Sequence, residues 1–333
     1  MKLYVKRVFI TDEAELLPRY LRFVRGIVDT SDLPLNISRE MIQESPVLAA
    51  IRKGVTSRIL VALEKLAEGE PETFKKFWGL FGVIVKEGIY EDYERREQLL
   101  KLARFRTTVS GEATRSLADY VGDMKDGQSA IYYLSGSSSE QLNASPHLEG
   151  FRAKGIEVLL LTDSVDSFWP TNAAEFEGKS FRSVTQGQAD LDAISNDEGA
   201  GEDKPSTSPD VAAFIDFARG LLGEEVADVR VSGRLTESAV CLVASDHGPD
   251  RQLEKFLQGA GRLQTASKPI LEINAQSRVV QNIASVADDA FREDAARLLL
   301  DEARILDGDR PADPRAFAIR QARLFERAIA SGN

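Results

Sequence analysis

Residues 186 to 208 divide this chain. The stretch carries six carboxylates against one lysine among glycines and serines, with almost nothing apolar, so no hydrophobic core is expected to run through it. It reads as an acidic flexible linker. Whatever folds must fold as separate bodies on either side, and 333 residues is in any case more than one core usually organises.

Upstream, residues 1–185 read as one domain in three parts. Lys2 to Ile10 alternates with a strand period from the outset, with no cap or turn ahead of it, as expected of a chain cut mid-domain. Asp32 to Glu40 is a loop, broken by Pro34 and Asn36, with Ser38 as a candidate N-cap. A helical insert over about 45–103 follows. Val47, Ile51, Val55, Ile59, Ala62 and Leu66 recur at helical spacing, and Phe74, Phe77, Leu80, Phe81 and Ile84 do so again after Pro71. From 105 to 185, β-rich runs at 129–134 and 157–161 flank a helical stretch ending at Gly155, which predicts a small α/β layer with a partly parallel sheet.

Downstream, 209–333 reads as an α+β domain. It has a helix over 211–222, strands over 226–231, 239–243 and 270–273, an amphipathic stretch at 250–260 and two closing helices, 288–306 and 314–330. The fold class is therefore multidomain, α/β and α+β. Phe291, Leu298, Leu299 and Leu306 line one closing helix, and Phe317, Leu324, Phe325 and Ile329 the other. Two helices alone bury little, so a four-helix bundle with a second copy would cover both stripes through an isologous interface. Packing of the pair onto its own domain is the alternative.

Composition removes several function classes. The net charge is −11 and the basic residues are scattered, which argues against a nucleic-acid partner. A single cysteine, Cys241, and two histidines 100 residues apart, His147 and His247, give no disulfide, no Cys-rich zinc site and no close histidine pair. No metal is expected, and the cytoplasm suits the thiol count. No apolar run approaches the roughly 20 residues that span a bilayer, so no membrane partner is expected either.

The search for catalytic motifs returns fragments. Gly178-Lys179-Ser180 has Ala173 where a phosphate loop needs its first glycine, Gly259-Ala260-Gly261 lacks the third glycine of a dinucleotide fingerprint, and Gly136 to Glu140 lacks the closing glycine of a nucleophile elbow. The standing enzyme alternative is an α/β-fold hydrolase or transferase acting on a small molecule. Two apolar features remain. Phe168 and Trp169 stand side by side before Pro170, either exposed for a partner or buried under the small subdomain. Leu253, Phe256, Leu257 and Ala260 form an i, i+3, i+4, i+7 stripe ringed by Arg251, Glu254 and Lys255, either a core face or a presented one.

Four long segments carry a resemblance. Leu3-Tyr4-Val5-Lys6-Arg7-Val8-Phe9-Ile10, Arg22-Phe23-Val24-Arg25-Gly26-Ile27-Val28-Asp29, Asp32-Leu33-Pro34-Leu35-Asn36-Ile37-Ser38-Arg39-Glu40 and Gly155-Ile156-Glu157-Val158-Leu159-Leu160-Leu161-Thr162-Asp163 closely resemble middle-domain signatures of the 90-kDa heat-shock chaperones. The match is strong over 1 to about 185 and looser beyond. It implies the middle and C-terminal domains of an ATP-driven chaperone of the bacterial cytoplasmic type, without the N-terminal ATPase domain. By the resemblance, Arg39 reaches the γ-phosphate of ATP held with Mg in that N-terminal domain, and Gln43 supports the contact. A fixed guanidinium there offsets charge on the phosphoryl oxygens. No nucleotide is expected to bind, and no hydrolysis to occur, in this chain alone. The resemblance also implies a homodimer through the closing helices, with unfolded or partly folded clients touching Phe168 or Trp169 and the Leu253, Phe256, Leu257, Ala260 stripe. Phe-Trp-Pro here departs from the family's single tryptophan followed by methionines, which leaves open which ring makes the contact. The C-terminal Ala330-Ser331-Gly332-Asn333 lacks the acidic docking tail of eukaryotic cytosolic relatives.

Overall fold

The computed structural model describes residues 1–34, 45–173, 175–186, 191, 194, 207–245, 250–263, 265 and 267–331, of mixed α/β and α+β character. The chain forms two compact units. The first is Met1–Phe105 with Thr114–Asp119 and Asp163–Gly178; the second is Arg106–Ala113, Tyr120–Thr162 and Lys179–Asn333. This boundary differs from the one expected at 186–208, because the small α/β layer groups with the C-terminal segment. Part of the reason lies in the stretch itself. Leu191 and Ile194 are buried beside Leu148, Phe151 and Val158, and the Lys154 ammonium donates to the Ile194 carbonyl at 3.2 Å. The linker expectation for 187–190, 192–193 and 195–206 lies outside the described residues.

In the first unit the N-terminal β stretch is a hairpin, not one strand. Lys2–Val5 and Val8–Thr11 pair antiparallel across Lys6 (φ 50°) and Arg7 (φ 68°). Two consecutive left-handed residues make the tight two-residue loop that suits strand twist, and the Asp29 carboxylate accepts the Arg7 N–H at 3.1 Å. Ile27–Thr30 pairs parallel on the other side, so Lys2–Val5 is central and its Leu3 and Val5 are buried. Beside this sheet stand helices Pro46–Gly69, capped by the Ser45 hydroxyl, and Pro71–Glu91. On the first helix the predicted stripe is only its flank. Leu48, Thr56, Leu60 and Leu63 are buried, whereas Val47 and Ile51 pack partly against the sheet's core and Ala62 is exposed. On the second, Phe74, Trp78, Val85 and Ile89 face inward. Leu80 is 74% exposed, because it lies about 240° round the helix from Phe74 at 100° per residue. Gly88 permits close packing here, since a Cβ would meet Tyr20 and Leu99 side chains at 2.8 Å.

The second unit holds two sheets. In one, Ala130–Ser135 is the middle strand, parallel to both Leu159–Leu161 and Lys179–Ser183. All six of its residues are buried, as a central parallel strand covered on both faces requires. The Tyr120 hydroxyl ties it to the next loop, accepting from the Tyr132 N–H at 3.0 Å and donating to the Glu157 carbonyl at 2.6 Å. In the other sheet Ile270–Ile273 lies between Asp228–Val231, parallel, and Val240–Val243, antiparallel. Helices Pro209–Leu222, Arg278–Ser285 and Asp289–Leu306 supply its core. Glu149 joins the two layers, its carboxylate accepting the backbone N–H groups of Thr236, Glu237 and Ser238 at 2.8 to 3.1 Å.

Candidate functional site

The amphipathic stretch at 250–260 is a helix, Arg251–Gly259, with both ends closed. Asp250 accepts the N–H groups of Gln252 and Leu253, and its other oxygen takes the Thr185 hydroxyl at 2.8 Å. At the far end Gly261 (φ +67°) reverses the chain, and the Arg262 N–H returns to the Leu257 carbonyl at 2.8 Å. The orientation of this helix is unusual. Its charged residues face the body: Arg251 and Glu254 are buried, the Arg251 Nε donates to Asp307 Oδ2 at 2.9 Å, and the Lys255 ammonium lies 2.8 Å from the same oxygen. The polar rim predicted for Arg251, Glu254 and Lys255 is thus the docked face. Phe256 is 41% exposed, Ala260 is exposed, and Leu253 and Leu257 are half-buried. A surface helix ordinarily does the reverse. Burial works to raise the Asp307 pKa, yet Arg251 and Lys255 hold the carboxyl below the usual carboxylate range.

The Phe168–Trp169 pair separates in the first unit. Trp169 is 0% exposed, with its ring 5.4 Å from Phe105 and its indole N–H donated to Asp166 Oδ1 at 2.7 Å. Asp166 also receives the buried Lys86 ammonium at 2.7 Å, and that ammonium reaches Asp163 at 2.6 Å. Trp169 is therefore a core residue, a correction to its candidacy as a client contact; desolvation of the ring is matched by a hydrogen bond to its one polar atom. Phe168 remains half-buried at the surface, 6.1 Å from the Tyr90 ring.

Of the residues predicted on the closing helices, Leu299 packs inside its own unit, beside Leu300 and Ala303. It is not available to a second copy in this conformation. Phe291, Leu298, Phe317 and Leu324 are half-buried, while Leu306, Phe325 (61%) and Ile329 (70%) are exposed. Among the described side chains of Pro314–Ser331, none is buried. That helix is held by ion pairs, including Arg323 to Asp294 at 3.1 Å and Arg327 to Asp288 at 2.8 Å. Arg39 and Gln43, the residues directed at a nucleotide, lie outside the described residues.

Two further charged groupings among the described residues pair internally. Glu272 takes Arg230 and Arg234, each at 2.9 Å, and Ser232 at 3.0 Å, while burial pushes the neighbouring Cys241 thiol up. An open cavity of about 770 Å³ in the first unit is lined by Arg19, Tyr20, Arg22, Arg52 and Asp92 among others. There the Tyr20 hydroxyl donates to Asp92 at 2.7 Å and Arg22 is gripped by both oxygens of Glu87. Gly178 stands in a turn with Glu177, both at positive φ, and not in a phosphate loop. Among the described residues no group of three His, Cys, Asp or Glu side chains could hold a metal ion, and no helix is long and apolar enough to cross a membrane.

The feature that sequence reasoning missed is Asp307. It follows a helix and precedes Gly308, which reads as a turn; nothing local signals two distant cations converging on it.

The family model described as Hsp90 protein matches residues 1–332. The chain is 67% identical over 335 aligned residues to chaperone protein HtpG of Rhizobium etli, covering 99% of this chain and 52% of the relative. It is 64% identical to chaperone protein HtpG of Rhizobium meliloti, over 99% of this chain and 53% of that protein. For the Mesorhizobium japonicum protein of the same name the identity is 62%, over 100% and 53%. The chain thus spans about half the length of these curated relatives.

Proposed function

Because the chain belongs to the Hsp90 protein family, we propose that it is the middle and C-terminal part of an ATP-driven bacterial chaperone, binding partly folded client chains and pairing with a second copy of itself. One observation carries this reading: the Arg251–Gly259 helix docks by its charges and keeps Phe256, 41% exposed, and Ala260 on its exposed side. Partly exposed apolar surface suits weak, adaptable contact with many unfolded segments. Phe168 is the second contact. The partly and wholly exposed residues of the closing helices, Phe317, Leu324, Phe325 and Ile329 above all, form the self-association face. In the cytoplasm, Arg39 and Gln43 would serve the γ-phosphate of ATP, bound with Mg in an N-terminal domain of the full-length protein; the nucleotide would supply transfer of its γ-phosphoryl group to water, leaving ADP and phosphate.

The test is suppression of a heat-denatured protein's aggregation by the chain with Phe168 and Phe256 both replaced by Ser. Protection is expected to fall several-fold, and undiminished protection would remove the client assignment. Sedimentation tests the pairing: Phe325→Asp should shift a dimer towards monomer, and an unsubstituted chain that is monomeric at every concentration would refute it.

A further inference from the structure

We propose that Asp307 is a positioning residue for client binding: by gathering Arg251 and Lys255 it holds the Arg251–Gly259 helix with Phe256 and Ala260 on its exposed side and Leu253 and Leu257 half-buried at its edge. The inference rests on reading that stripe as a client contact. A free amphipathic helix at a protein surface rotates its apolar side inward, so the observed orientation needs an anchor on the opposite side. Arg251 and Lys255 stand one helical turn apart on that side. They converge on a single carboxylate, Arg251 Nε at 2.9 Å and Lys255 Nζ at 2.8 Å from Asp307 Oδ2. Lys255 also donates to the Asp307 carbonyl at 2.6 Å and reaches Asp309 at 3.0 Å. Glu254, between the two cations, accepts the Ser267 hydroxyl at 2.6 Å.

The anchor itself is stiff. Asp307 caps the Asp289–Leu306 helix, its N–H returning to the Ala303 carbonyl at 3.1 Å, and Gly308 (φ +83°) turns the chain so that the Asp309 N–H meets the Arg304 carbonyl at 2.8 Å. That long helix is rooted in the core through Leu299, Leu300 and Ala303. With its side chain only 4% exposed, Asp307 forms ion pairs that water and salt screen little. One turn, 307–309, therefore both ends the first closing helix and fixes how the stripe is presented.

Hydrogen exchange of the whole chain, read together with binding of labelled, reduced and carboxymethylated lactalbumin as a permanently unfolded probe, tests this. Asp307→Asn should cut amide protection across 252–259 on the order of 100-fold, as loss of a buried pair predicts, leave 292–303 protected, and weaken lactalbumin binding. Lys255→Gln, at a more exposed position, should do the same to a lesser degree, and it decides the matter if Asp307→Asn disturbs 292–303 as well. Unchanged protection of 252–259 in both variants overturns the proposal, as does lost protection with lactalbumin binding untouched. Phe256→Ser separates client contact from anchoring: with 252–259 still protected it should lose lactalbumin binding. If Phe256→Ser binds as tightly as the unsubstituted chain, the client reading fails while the exchange data still judge the anchor.

Discussion

The short helix Trp169–Ala173 and the Arg251–Gly259 helix both combine large apolar side chains with buried ion pairs, and they do so in opposite senses. Around Trp169, the carboxylate of Asp166 pairs Lys86 from the helix Pro71–Glu91 and also accepts the indole N–H, so the charges and the ring share one buried site. In the Arg251–Gly259 helix, Arg251 and Lys255 stand about 140° and 100° round from Phe256 at 100° per residue, so the carboxylate that pairs them leaves the ring on the exposed side. A buried ion pair is a weak guide to stability, because desolvation opposes Coulomb attraction. Here its geometry decides which apolar surface is shown and which is hidden.

The comparison breaks first at Asp166. Asp166→Ala leaves the Lys86 ammonium with Asp163 and the face of Phe105 and removes the carboxylate that accepts the Trp169 N–H, and should lower the unfolding free energy by about 3 to 5 kcal/mol in urea titrations. A loss below about 1 kcal/mol would mean that the pair is ornamental. Acid offers the next effect. Burial first, and Arg234 second, push the His147 pKa down from 6.5 to about 4, so between those values the unfolded chain binds a proton that the folded chain does not. Stability conferred by the neutral ring is complete above pH 6.5 and is lost as pH falls towards 4, by about 3 kcal/mol from a 2.5-unit difference. His147→Gln should flatten that part of the curve, measured as urea midpoints at pH 7.5 and 5. The smallest change in stability belongs to the presented ring. Phe256→Ser should leave the unfolding free energy within about 0.5 kcal/mol, and a cost comparable with that of Asp166→Ala would place Phe256 in the core after all.

Much of this arrangement was legible in the sequence. Periodicity places the helices at 46–69, 209–222, 289–306 and 314–331 to within a few residues, and the one at 71–91 by its start and its aromatic repeat through Ile84. It did less well with rotation and with short elements. The fully buried line of the first helix runs through Leu48, Leu60 and Leu63, beside the predicted one, because that helix packs on more than one neighbour and several stripes compete. Arg278–Ser285 escaped notice because two turns give too few repeats for a period to stand out. The hairpin at Lys6-Arg7 was hidden because neither residue is a glycine or asparagine.

What the sequence determined by itself was the inventory and the kinship: element types, the apolar stripe, the paired aromatics, and four segments long and ordered enough to place the chain among the 90-kDa heat-shock chaperones. Direction was set by contacts formed between distant parts of the folded chain. Whether Trp169 or Phe168 meets solvent, whether Leu299 serves its own core, and which way the Arg251–Gly259 helix turns all depend on partners far away in the chain, 80 residues for Lys86 and Asp166 and 56 for Arg251 and Asp307. Local periodicity fixes which residues share a face of a helix. It carries no information about where that face points, because that is settled by charges and cavities the chain brings near only after it has folded.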